Sequence, residues 1–263
     1  HVPPTELRPR SATEIIDAAF QILKHQYGTF VVLAALAYLP YIAIMLVIGA
    51  TTSGASMDAR NEAALGAGLL ALPVALIWFP IAETAVLVGA SDALLGKQVD
   101  AAAALRVVLS RFGSVLGAAI LKGLLVLIAM VFFVVPGVIV WLGLFATPAV
   151  VVYERLGATE SIGRSWNLAK GMKGKVLGVM LLVYLMVLAV QLAVTVIAAT
   201  VGVNEITANV AASVLVIFIY PLIGIATALL YYDARIRKEG FDLQVLAGEL
   251  RGGTSNEPYP GMR

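Results

Sequence analysis

Val176–Val201 reads VLGVMLLVYLMVLAVQLAVTVIAATV, with no charged residue, and it follows directly on Lys170-Gly171-Met172-Lys173-Gly174-Lys175. About 20 mostly apolar residues in a helix cross the hydrocarbon of a bilayer. A basic cluster tight against one end of such a run marks the cytoplasmic side. The stretch therefore predicts an all-α, polytopic membrane helical bundle. The whole chain agrees with that class. It is 60% hydrophobic and only 13% charged, with mean hydropathy +0.94, whereas a soluble domain carries about 25% charged residues.

Working outward, five further apolar runs complete six predicted spans: about 29–50, 66–90, 114–135, 137–153, 176–201 and 207–232. Pro136-Gly137 predicts a tight turn between the third and fourth. The spans assign the charges. Arg8, Arg10 and Lys24 precede the first; Lys97, Arg106 and Arg111 lie between the second and third. Arg155, Arg164, Lys170, Lys173 and Lys175 lie between the fourth and fifth, and Arg235, Arg237, Lys238, Arg251 and Arg263 follow the sixth. All these segments fall on one side, with Lys122 inside span three near it; only Arg60 lies opposite. The positive-inside rule then predicts both termini in the cytoplasm, and a bacterial inner membrane as the setting. Residues 1–250 read as one membrane domain and 251–263 as an extended tail.

Each pair of spans is introduced by an amphipathic stretch, giving three hairpins with interfacial helices. Ser11-Ala12-Thr13-Glu14 has capping-box spacing, and Ile15, Ile16, Ala19, Phe20 and Leu23 share a face. In 100–111 Leu105, Val108 and Leu109 are apolar, beside Arg106 and Arg111. In 159–170 Ile162, Trp166 and Ala169 form the stripe. Two readings of this collar stand side by side. Either Arg106, Arg111, Lys170, Lys173 and Lys175 take anionic headgroups, at about 1 kcal/mol each, or the helices only pack beneath the bundle. Nucleic acid is not expected, because the basic residues face the headgroup plane.

The ionisable residues deepest in the spans are Glu83 and Lys122, each about eight residues, or about 12 Å, from the basic side. Charges at such depth are usually paired and often functional. They predict a charge pair, serving as a relay or coupling site, or as a lock between hairpins. Pro40, Pro73, Pro80, Pro148 and Pro221 punctuate the spans as bends, or as breaks that line an ion path. The chain has no Cys, and no metal-binding, P-loop or nucleophile-elbow motif. No catalytic residue, metal or cofactor is expected.

Two stretches carry a family resemblance. Thr147–Gly171 reads TPAVVVYERLGATESIGRSWNLAKG, and Tyr231–Leu246 reads YYDARIRKEGFDLQVL. With Pro136-Gly137, they resemble the bacterial glycerophosphoryl diester phosphodiesterase membrane-domain family and its YciC-like relatives. The resemblance implies a six-span helical domain. It carries no phosphodiesterase activity, since that family's soluble barrel and its catalytic acids have no counterpart here. The matching positions, Glu154, Arg164 and Trp166 with Asp233, Arg235 and Arg237, are expected to clamp the last helix beneath the bundle. The expected function is a non-enzymatic accessory or scaffold subunit that binds lipid and other membrane proteins, with the tail as a docking segment. The alternatives are a small-solute or ion transporter using Glu83 and Lys122, and, with less in its favour, a lipid-processing enzyme.

Overall fold

The computed structural model describes residues 8–52 and 56–240. These form eleven α-helices and no strand: α1 (Ala12–His25), α2 (Tyr27–Thr52), α3 (Met57–Leu94), α4 (Ala101–Ser110), α5 (Phe112–Phe132), α6 (Val134–Gly143), α7 (Thr147–Tyr153), α8 (Ala158–Ala169), α9 (Lys173–Val201), α10 (Glu205–Ile217) and α11 (Pro221–Glu239). Among the described residues, five stretches are long and apolar enough to cross a membrane: Tyr27–Thr51, Ala71–Leu94, Phe112–Phe132, Val134–Tyr153 and Lys173–Val201. The bent pair α10–α11 makes a sixth. The tail 251–263, and the Phe241–Leu246 part of the family-like ending, lie outside the described residues.

The order repeats three times: a short amphipathic helix, an outgoing span, and a returning span that carries proline. The units are α1–α2–α3, α4–α5–α6/α7 and α8–α9–α10/α11. Burial separates the two kinds of span. The outgoing helices keep large apolar side chains exposed, among them Leu46, Leu127 and Val196, as lipid-facing helices must. The second half of α3, together with α7 and α11, is almost wholly buried. The returning helices are thus the core, and α3 against α11 is its main seam.

Prolines shape these helices by removing donors. Pro40 leaves the Leu36 carbonyl without its i+4 partner, and the Trp78 indole N–H of α3 donates to that carbonyl. Two predicted spans are broken. The fourth stops at Gly143 and restarts at Thr147 with Pro148 in the first turn. The sixth bends by 40° between Ile217 and Pro221, with Pro221 again in the first turn, where a missing N–H costs nothing. The turn before α6 also corrects the sequence reading. It is made by Phe133 in extended conformation (φ −162°, ψ 149°), and Pro136 lies inside the first turn of α6. Gly137 instead lets α6 approach α5: a Cβ there would stand 2.1 Å from Met130 Cγ.

The amphipathic helices sit at the basic end, and protein covers most of the apolar face of α1, whereas in α4 Ala104 and Val108 are buried and Leu109 is exposed. Ile15, Ala19, Ile22 and Leu23 of α1 are buried against α11 and α9, while Phe20 is exposed. In α8 the buried face is Ser161, Ser165, Leu168 and Ala169; of the expected stripe Ala169 is buried, while Ile162 and Trp166 are only half-buried. Trp166 lies over the end of α6, where a Cβ on Gly143 would strike its ring at 2.2 Å.

The capping box forms as expected. Ser11 Oγ accepts from Glu14 N at 3.2 Å, and Ser11 N donates to the Glu14 carboxylate at 2.6 Å. That N–H, with Arg8 and the Ser11 hydroxyl, holds the Glu14 carboxyl down to about 2. Its contribution is therefore complete above pH 4.5, the ordinary value, and is lost as pH falls through about 2. Ser11→Ala should lower stability by about 1 kcal/mol in denaturant titrations in detergent, and unchanged stability there would show that α1 is held by packing alone.

Candidate functional site

Three places gather chemistry: an ion-pair network at the basic end, a basic cleft beside it, and a cavity within the spans.

Each returning helix carries, toward the basic end, a hydroxyl residue followed by an acid: Ser91-Asp92, Tyr153-Glu154 and Tyr232-Asp233. The hydroxyls meet on the bundle axis. The Tyr153 hydroxyl donates to the Leu87 carbonyl at 3.0 Å and pairs with Ser91, which also bonds Tyr232. The acids face outward to the start of the next unit. Asp92 is within electrostatic reach of Lys97. Glu154 accepts from Arg164 Nε at 2.6 Å. Asp233 accepts from the Arg10 backbone N–H at 2.8 Å and from Lys175 at 2.6 Å.

The expected clamp is therefore present but divided in two. Arg164 bridges Glu154 and Glu239; Arg235 joins Glu239 at 3.1 Å and Tyr231 at 3.4 Å. Burial opposes the Arg164 charge, yet hydrogen bonds to Glu154 and Glu239 raise its pKa above the usual arginine value. Asp233 meets neither Glu154 nor Arg164. With Lys175 and Arg237 (3.0 Å) it forms a second cluster around the Arg10 backbone. Trp166 takes no part in either; Lys173 stands over its ring at 3.7 Å.

The five residues expected to face headgroups separate accordingly. Arg106 and Lys170 are exposed. Lys173 rests on Trp166, and Lys175 is committed to Asp233. Arg111 donates to the Arg155 carbonyl at 2.8 Å and to that of Leu156 at 3.4 Å. Sequence reading assigned Lys175 to lipid because it counted charges along the chain. The spacing of Asp233 and Arg237, one helical turn apart, was the available sign of a network at that level.

Beside Arg111 lies an open cleft of about 530 Å³, with Arg111, Arg155, Ser110 and Ser114 as its polar walls. The first turn of α5 opens onto it with no side-chain cap, and such N–H groups favour anions. Arg155 has φ +54°, the one positive value among the described non-glycine residues, and this left-handed conformation costs an L-residue about 1–2 kcal/mol. Sequence reading gave Arg155 no role, and a single residue carries no mark of its φ.

Glu83 and Lys122 do come together, but not as the pair expected. They line one cavity of about 360 Å³ between α3, α5 and the α6–α7 break, and neither ion pair nor hydrogen bond joins them. Adjacent hairpin packing brings α3 beside α5, and Trp141, Thr147 and Pro148, on either side of the break after Gly143, complete the cavity wall. Thr84 and Thr147 add hydroxyls to the wall. Among the described residues, no group of three or more His, Asp or Glu side chains is placed to hold a metal ion.

No family model matches the chain, and neither the curated proteins nor the solved structures contain a match to it.

Proposed function

We propose that this is a non-enzymatic multi-pass protein of a bacterial inner membrane, with both ends cytoplasmic, that binds anionic lipid and serves as an accessory or scaffold subunit. The observation that carries the lipid part is the cleft at Arg111 and Arg155. It joins two guanidinium groups, two serine hydroxyls and open helix N–H groups, with no carboxylate in its wall, and Arg suits phosphate oxygens through its forked donors. Exposed Arg106 and Lys170 extend the same sign of charge along that end. The positive-inside asymmetry supports the orientation. The partner-subunit part, with the tail 251–263 as contact, and the likeness to the phosphodiesterase membrane-domain family rest on the sequence alone.

Arg155→Gly tests the cleft, because glycine accepts φ +54° without strain. The variant should be at least as stable as the parent, yet retain several-fold less phosphatidylglycerol through purification, read by native mass spectrometry. Equal retention ends the cleft reading. Orientation is checked by single cysteines, since the chain has none of its own. An impermeant maleimide should label Ser56→Cys and spare Gln98→Cys in spheroplasts.

A second reading, transport of a small solute, is favoured by one observation: the Glu83–Lys122 cavity lies against a broken helix, the usual wall of a transporter site. Flux through reconstituted vesicles that disappears in Glu83→Gln would support it.

A further inference from the structure

The cavity at Glu83 and Lys122 holds opposite charges that do not neutralise each other. Glu83 sits on α3 and Lys122 on α5, both half-buried, both facing the same space of about 360 Å³. At this depth in a bilayer an uncompensated charge costs a few kcal/mol, and two are present. A direct pair removes that cost in most proteins; here neither an ion pair nor a hydrogen bond joins the two, and both line the same cavity. Glu83 also lies within electrostatic range of Tyr184 and Tyr220.

The hydroxyls sharpen the choice of ligand. Thr84 donates to the Pro80 carbonyl at 2.6 Å, and Thr147 donates to that of Leu144 at 2.9 Å. Each hydroxyl hydrogen is used on a nearby backbone carbonyl, that of Pro80 in α3 or that of Leu144 in the α6–α7 break, so what the oxygens offer the cavity is acceptor capacity. Glu83, Thr84 and Thr147 are then acceptors suited to an ammonium group. Lys122 is a donor suited to a phosphate or carboxylate. The rest of the wall is apolar, with Val126, Leu127 and Met130 following α5. Leu127 is itself largely exposed on the lipid-facing flank. The volume is near the low end of small-molecule sites, about 300–1,000 Å³, enough for a headgroup and not for a whole diacyl lipid.

We infer that this cavity is a binding site for a zwitterion carrying a primary ammonium and a phosphate or carboxylate, the ammonium at Glu83 and the anion at Lys122. Such chemistry has two sources. One is an aminophospholipid headgroup entering sideways, its chains lying along α5. The other is a free zwitterion of amino-acid size. The inference deepens the second reading above in naming the ligand class. Binding without flux would leave this site standing and end the transport reading, and neither result bears on the Arg155 cleft.

The test uses the purified full chain. In one arm, nanodiscs of mixed phosphatidylethanolamine and phosphatidylglycerol are followed by detergent extraction and native mass spectrometry of retained lipid. In the other, calorimetry uses phosphoethanolamine and glycine as zwitterions, with ethanolamine and glycerol phosphate as single-charge controls. Phosphatidylethanolamine retention, or binding of a zwitterion above both controls, is expected. Glu83→Gln and Lys122→Met should each weaken it by about tenfold or more, the effect of losing one charge-assisted hydrogen bond, while Gly178→Ala, whose added Cβ meets nothing within 4 Å, leaves it unchanged. Signal in the lipid arm alone identifies a headgroup; signal in the calorimetric arm alone identifies a soluble zwitterion. The exchange Glu83→Lys with Lys122→Glu keeps both charges and should restore binding lost in the single variants. No signal in either arm, binding of a single-charge control as tight as a zwitterion, or binding indifferent to both single variants overturns the proposal.

Discussion

Asp233→Ala should cost the fold about 3–5 kcal/mol, the range for removing one member of a buried ion pair. The Asp233 side chain is 2% exposed, and its two oxygens serve three donors: Arg10 N–H, Lys175 and Arg237. Lys175 is only 17% exposed, so its ammonium would be left in a place water barely reaches. Arg237 is 43% exposed and loses little, because water takes over its partner's role. The loss is therefore concentrated on Lys175 and on the Arg10 backbone. Asp233→Asn keeps an acceptor for the Arg10 N–H and should cost less. Adding Lys175→Met to Asp233→Ala should recover part of the loss, since removing both charges of a buried pair is often close to neutral. The measurement is denaturant unfolding in a fixed detergent, with the four proteins of the cycle compared. A change below about 0.5 kcal/mol for Asp233→Ala, the size of an ordinary surface substitution, would show that the cluster does not hold the fold.

The position of Asp233 explains why so much is expected of it. Glu154, at the end of the second unit, takes Arg164 from the third. Asp233, at the end of the third, takes the Arg10 backbone just before the first. Asp92 faces Lys97, which leads into the second. The three units are thus closed into a ring at the basic end, and Asp233 joins the last helix to the start of the chain. Arg10 and Asp233 are 223 positions apart, so the contact most important to closure leaves no local trace in the sequence.

What was legible followed from periodicity and hydropathy. The capping box at Ser11, the six apolar runs and the three amphipathic stretches are local patterns, and all of them appear. The breaks in the fourth and sixth spans were less legible, because Pro148 and Pro221 read equally well as bends. Whether a proline bends or restarts a helix depends on where the freed carbonyl finds a partner, which is a tertiary matter. Glu83 and Lys122 were picked out from depth alone, and both line one cavity without forming the charge pair that depth suggested. Depth does not report the lateral gap between helices, so the cavity that separates them was not foreseen. Lys175, expected at headgroups, is bound to Asp233, and that partner was missed for a related reason. An interfacial tryptophan and a juxtamembrane lysine look the same in sequence whether they meet lipid or protein.

Gly224→Ala should cost about 1–3 kcal/mol, the usual penalty for overpacking, although alanine is the better helix former by about 1 kcal/mol. Gly224 lies where α11 crosses α3. A Cβ there would stand 2.7 Å from Val86 Cγ1, 3.0 Å from Val86 Cβ and 3.3 Å from the Leu87 backbone nitrogen. The first of these contacts is a side-chain methyl, but the last is main chain, so α3 must move as a unit. Gly178 is the control: nothing lies within 4 Å of its Cβ position, and Gly178→Ala should hold or gain stability. Val86→Ala removes the nearest methyl, so Gly224→Ala and Val86→Ala together should cost less than the sum of their separate effects, a coupling that contact residues show and distant ones do not. Glu83 is three residues before Val86 on the same helix. A shift of α3 away from α11 therefore changes the gap between Glu83 and Lys122, and zwitterion binding should fall in Gly224→Ala and return in the double variant. Strictly additive stabilities would show that α3 and α11 are not in close contact at Gly224, and the cavity's dimensions would then have to be set by the α5–α6 hairpin instead.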